Sequence, residues 1–173
     1  MRDGPRAVLR QGIDHLGEGV TAVRTLATDQ LDRLKIAYQV LAYDEVEKTA
    51  LEVARKLGIA PSDVFKTLLV RSGREFALGV VPGDQELSLH ALARVWRRAE
   101  AEMANPADIP RITGYVRGSV SPLGTRRVLP VFLDRSAQAR TIAVSAGQRG
   151  QELLLRGDDL LLAVAGTWAA LCR

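Results

Sequence analysis

Two β-rich runs, residues 64–70 (Val-Phe-Lys-Thr-Leu-Leu-Val) and 76–81 (Phe-Ala-Leu-Gly-Val-Val), stand on either side of a Ser72-Gly73 turn. The pair reads as a hairpin, closed by Pro82-Gly83-Asp84. Helical patterns flank it, and that restricts the fold. Upstream, Ala50, Val53, Ala54 and Leu57 recur at one-face spacing and Gly58 follows as a stop. Downstream, Ser88 can cap a helix with Leu89, Leu92, Ala93 and Trp96 on one face. An earlier helix is expected after a Thr28-Asp29 cap, with Ala27, Leu31 and Leu34 in register. Asn105-Pro-Ala-Asp starts a short one. Gly157-Asp-Asp opens a last helix carrying Leu161, Val164, Ala165 and Trp168. Residues 36–43, 131–134, 141–144 and 152–155 read as further strands, and Glu102-Met-Ala as a short one. Strands interspersed with helices predict an α/β (α+β) domain built on a mixed sheet.

A chain of 173 residues fits one domain. Residues 1–24 are polar and punctuated by Gly12, Gly17 and Gly19, so they read as a flexible extension, with a docked helix near residues 7–15 as the alternative. The fold is expected over residues 25–173. Hydrophobic residues make up 47% but aromatics only 5%, so the core is aliphatic. The single cysteine, Cys172, excludes an intrachain disulfide framework and a cysteine-based metal site. No apolar run approaches the roughly 18 residues of a membrane span, and no signal-peptide pattern opens the chain, so a cytoplasmic location is expected. The net charge of +4 is compatible with a polyanionic partner without requiring one.

Chemistry concentrates in a few places. Gly114-Tyr-Val-Arg-Gly-Ser-Val-Ser-Pro-Leu-Gly124 is a loop whose glycines permit close backbone approach and whose serines, Ser119 and Ser121, supply small hydrogen-bonding groups. It reads either as a tight turn or as amides presented to a ligand oxygen, with Gly118 needing no side-chain clearance. Lys66 sits in an apolar strand, where a charge is costly unless it is used or reaches water. In alternating register it shares a face with Leu68 and Val70. Ser145-Ala-Gly-Gln-Arg-Gly150 follows a strand and is a second candidate loop. Arg94, Arg97 and Arg98 read as a solvated helix face or an RNA-contacting patch. His15 and His90 have no partners in sequence, and neither a nucleophilic triad, a metal-ligand spacing nor a phosphate-cradling glycine fingerprint is present.

Together Phe65-Lys-Thr-Leu-Leu-Val70, the 114–124 loop and Val144-Ser-Ala-Gly-Gln-Arg-Gly150 resemble, in order and spacing, the three blocks of the YbaK/EbsC family, whose domain is shared with the editing insertion of bacterial prolyl-tRNA synthetases. The likeness covers residues 25–173 and is nearest to the Cys-tRNA(Pro) deacylase type. It implies a mixed β-sheet or barrel-like core flanked by helices, and hydrolysis of the ester at the 3′ end of a mischarged tRNA without a cofactor or metal. Lys66 matches the family's functional lysine. Thr67, Gly118, Pro122, Ser145 and Tyr43 match positions near the aminoacyl group, and Glu152 stands where an Asp is common. The implied partners are the tRNA 3′ end and prolyl-tRNA synthetase, with neither membrane nor DNA. The chain departs from the pattern at Thr49-Ala50, Ala146 and Glu152, which bears on amino-acid preference.

No side chain here is an evident activated nucleophile. The economical mechanism has Lys66 and loop amides stabilise developing charge, while water, the terminal ribose hydroxyl or a cysteinyl thiol attacks. Alternatives are a deacylase for tRNA mischarged with Ala or Ser, and a non-catalytic RNA- or protein-binding module.

Overall fold

The computed structural model describes residues 24–43 and 49–173, together with the backbone of Ala7–Arg10. In chain order the elements are β1 (Ala7–Arg10), α1 (Leu26–Arg33), β2 (Tyr38–Ala42), α2 (Ala50–Leu57), β3 (Phe65–Ser72), β4 (Glu75–Pro82), α3 (Leu89–Trp96), β5 (Glu102–Met103), α4 (Asp108–Thr113), β6 (Val131–Asp134), β7 (Thr141–Ser145), β8 (Gln151–Arg156), α5 (Gly157–Ala163) and β9 (Thr167–Ala169). They form two sheets. The first, ordered β1-β2-β8-β7, is antiparallel throughout. The second, β5-β3-β4-β6-β9, is antiparallel from β5 to β4 and parallel from β4 to β9. The expected mixed α/β architecture is therefore present, divided into two sheets that touch where Val64 bridges Ala143.

Strand alternation explains the layering. Val40, Leu78, Val80, Ile142, Val144 and Leu153 belong to one core between the sheets. Their neighbours Ala77 and Val81 turn the other way, onto Leu92 and Trp96 of α3. Leu41 and Ala143 likewise turn outward, onto Val53, Ala54 and Leu57 of α2. Both faces of β4 are thus covered, which is why its run is apolar without alternation.

Helix α2 ends as expected at Gly58, in the left-handed conformation at φ 68°, and it opens on a capping box between Thr49 and Glu52. Three expectations differ. Thr25, not Thr28-Asp29, caps α1; Thr28 is the reciprocal partner of that cap. Helix α5 stops at Ala163, with Gly157, Leu160 and Ala163 on its buried face. Ala165 turns left-handed at φ 49°, the Gly166 amide closes back on the Leu161 carbonyl at 2.9 Å, and Trp168 becomes part of β9. Finally, Ala7–Arg10 of the extension pairs antiparallel with β2 as a strand where the docked-helix alternative had a helix, while the rest of residues 1–23 lies outside the described residues.

Candidate functional site

Strand β5 is only two residues long and pairs Met103 and Glu102 with Val70 and Arg71. Just beyond it the Ala104 amide donates to the Leu69 carbonyl at 3.0 Å. Residues 65–68 of β3 therefore pair with β4 alone. Along that uncovered edge lies a cavity of about 690 Å³. Its walls combine Phe65, Lys66, Thr67, Leu68 and Leu69 with Gly118 and Val120 of the loop, Tyr43, Ser145 and Glu152 at the ends of β2, β7 and β8, and the first turn of α2. Because the hollow runs along a strand edge, side chains from both faces of β3 reach it, and the alternation predicted for Lys66 does not separate it from Thr67.

Lys66 is half-buried, and its ammonium has no ion-pair or hydrogen-bond partner among the described residues. Thr67 Oγ1 is buried and unpartnered. Gly118 stands at φ +90°, and a Cβ there would meet nothing within 4 Å. Of the loop amides, Ser119 N–H is committed to the Val116 carbonyl at 3.1 Å, whereas those of Gly118 and Val120 have no partner among the described residues.

The loop is held from behind. Ser145 Oγ donates to the Ser119 carbonyl at 3.1 Å and accepts from Gly147 N–H at 3.1 Å. Arg149 Nη2 donates to the Arg117 carbonyl at 3.3 Å. The carbonyls on both sides of Gly118 are thus tied to the 145–150 loop. The Tyr115 hydroxyl donates to the Leu123 carbonyl, and burial pushes this phenol up to about 12. The Tyr115 ring packs where a Cβ on Gly147 would come within 2.4 Å of it, at φ +87°. Gly147→Ala is accordingly expected to destabilise the fold by about 2–4 kcal/mol, from left-handed strain plus overpacking. Chemical denaturation checks this; a wild-type midpoint would show that the ring is not wedged there.

Glu152 is buried, and Tyr43 Oη donates to its Oε1 at 3.3 Å. Burial pushes the carboxyl up to about 8, against a smaller opposing pull from the Tyr43 hydrogen bond. Burial thus favours its neutral form, which can donate as well as accept.

An unpaired ammonium, unpaired amides and a buried acid around one hollow suit an ester carbonyl and its developing oxyanion. Residues 44–162, the span that carries Lys66, Gly118, Ser145 and Glu152, match the family model described as the aminoacyl-tRNA editing domain. The chain belongs to that family. It is 34% identical over 153 residues to EbsC of Enterococcus faecalis, by name a candidate Cys-tRNA(Pro)/Cys-tRNA(Cys) deacylase, covering 86% of this chain and 93% of that one. It is 31% identical over 102 residues to the proline–tRNA ligase of Bacillus licheniformis, covering 59% of this chain but only 18% of the ligase. The fold matches the crystal structure of a candidate trans-editing enzyme for prolyl-tRNA synthetase with a TM-score of 0.79 at 21% identity, over 88% of this chain and 99% of the other.

In this editing domain the structure brings Tyr43, Lys66, Thr67, Gly118, Ser145 and Glu152 around one cavity. Ser119, Ser121 and Pro122, expected to bind substrate, do not line it; all three are buried inside the loop. Ser119 Oγ donates to the Val116 carbonyl and Ser121 Oγ accepts from Leu123 N–H, so both hydroxyls shape the turn. Arg94, Arg97 and Arg98 do not share a helix face, since α3 ends at Trp96 and Arg97 caps it in the left-handed conformation; none lines the cavity, and Arg98 is paired with Glu75 at 2.6 Å and lies over the Trp96 ring. Sequence reasoning missed Arg117, Val120, Met103 and Ile109 as wall residues. For Arg117 the signal was its place beside Gly118; the others read as ordinary apolar positions. Among the described residues, no helix is long and apolar enough to cross a membrane.

Proposed function

We propose that this editing domain acts in trans as an aminoacyl-tRNA deacylase, hydrolysing the ester that joins an amino acid to the 3′ end of a mischarged tRNA, with Cys-tRNA(Pro) as substrate and prolyl-tRNA synthetase as a working partner. The observation that carries this is that Lys66, Gly118 and Val120 line one cavity while the Gly118 and Val120 amides have no partner among the described residues. The near full-length likeness to EbsC supports the choice of substrate.

Lys66 and the two amides stabilise charge on the carbonyl oxygen as it becomes tetrahedral. The protein supplies no nucleophile. Ser145 Oγ is occupied as both donor and acceptor in holding the loops. Cys172 does not line the cavity, and burial together with Asp134 pushes its thiol up to about 12. The attack comes from water or from the substrate's own hydroxyl or thiol; with water, the carbonyl gains the hydroxyl and the tRNA 3′ oxygen leaves with a proton. Glu152 and Tyr43, which also line the cavity, orient the aminoacyl group.

Incubation of the purified protein with a panel of aminoacyl-tRNAs, with and without prolyl-tRNA synthetase, tests the reading. Cysteine should be released from Cys-tRNA(Pro), while Pro-tRNA(Pro) stays charged. A panel that keeps every amino acid under both conditions would refute it.

A further inference from the structure

Several surface arginines are neutralised by carboxylates. Arg71 pairs with Glu102, Arg98 with Glu75, Arg111 with Asp108, Arg140 with Asp63 and Arg156 with Asp158. Arg117 and Arg149 are among those that are not, and they are set apart by their place: Arg117 lines the cavity and Arg149 holds its carbonyl. Both are exposed, and neither meets a carboxylate among the described residues. Arg117 belongs to the cavity wall, and the head group of Arg149 rests against the backbone from which Arg117 projects, 3.3 Å from its carbonyl. The loops bearing them are locked together by Ser145 and Tyr115, so both cations are placed in advance. Two uncompensated guanidinium groups at one rim are an anion site: each retains forked N–H donors matched to phosphate oxygens.

We infer that Arg117 and Arg149 form the phosphate-binding rim of the cavity, gripping the backbone phosphate of the terminal nucleotide of the RNA whose ester enters the hollow. The identity of the anion rests on the deacylase reading. In such a substrate, the reacting ester and that phosphate belong to the same nucleotide, one sugar apart. The volume fits this arrangement, since about 690 Å³ is in the range that encloses a drug-sized ligand and exceeds what an amino-acid side chain fills. A phosphate held at the rim fixes how far the ester reaches toward Lys66.

The probe is an uncharged RNA minihelix ending in CCA, its binding followed by fluorescence anisotropy across a salt series. Arg117→Ala retains the main-chain carbonyl that Arg149 holds, so the loop tie survives. It is expected to weaken binding about tenfold at low salt and to flatten the log–log salt dependence by about 0.7 for the lost single-strand phosphate contact. R117A/R149A should weaken binding further, and Arg117→Lys should restore part of it. Arg94→Ala removes the same charge from α3, which contributes no residue to the cavity, and should change affinity less than twofold. Wild-type binding by R117A/R149A, or an equal loss with Arg94→Ala, overturns the rim assignment. RNA binding needs no hydrolysis. A protein that binds the minihelix through Arg117 yet deacylates nothing would sink the enzymatic reading and leave this one standing.

Discussion

Turnover of Cys-tRNA(Pro) is expected to fall by about two to three orders of magnitude when Lys66 is replaced by alanine, the usual consequence of removing one preorganised donor from a developing oxyanion. The fold should tolerate the change. Lys66 is half-buried and makes no ion pair among the described residues, so the expected change in stability is within about 0.5 kcal/mol. Arginine should not rescue the loss, because a planar fork on a longer stem does not put a point charge where the ammonium stood. Single-turnover deacylation alongside a melting curve separates the outcomes. Unchanged turnover in a folded variant would remove Lys66 from the mechanism.

The second large effect is on stability and depends on pH. A carboxyl with its proton affinity raised to about 8 in the folded protein ionises near 4.5 once unfolded. Between those values the folded state binds more protons than the unfolded state. Stability therefore declines as pH rises from about 4.5 to about 8 and levels off above that, by an amount on the order of a few kcal/mol. Glu152→Gln keeps the shape and an acceptor for the Tyr43 hydroxyl but cannot ionise. Urea unfolding at pH 6 and pH 9 should show the wild type losing stability on the alkaline side and the amide variant losing much less. Equal losses in both proteins would mean that Glu152 is already ionised in the fold at neutral pH.

Local chemistry made much of this architecture legible. The Gly58 stop of α2, the Ser88 cap of α3, the turn between β3 and β4 and the apolar run of β6 are decided within a few residues, and each element stands where its pattern places it. The end of α5 was not legible, because Leu161, Val164 and Trp168 satisfy helical spacing. A non-local event decides it: the parallel pairing of Leu133 with Trp168 draws the latter into a sheet. The site divides the same way. Lys66 and Gly118 stood out as residue types unusual for their surroundings. Met103 and Ile109 did not, since what makes them wall residues is the shortness of β5, which leaves the edge of β3 bare. Ser119 and Ser121 carried functional side chains in a ligand-like loop, yet the loop used those hydroxyls to hold its own shape.

The cavity has unequal walls. One side is sheet backbone and a loop pinned from behind by Tyr115 and Ser145, whose buried residues belong to the core. The facing side is the first turn of α2, where Thr49 and Leu51 are exposed and Ala50 is half-buried. Variation there alters the outline offered to an amino-acid side chain while leaving the catalytic half undisturbed. On the proposed deacylase reading, substitutions at Thr49, Ala50 and Leu51 are expected to change which amino acid is accepted while hydrolysis that depends on Lys66 persists.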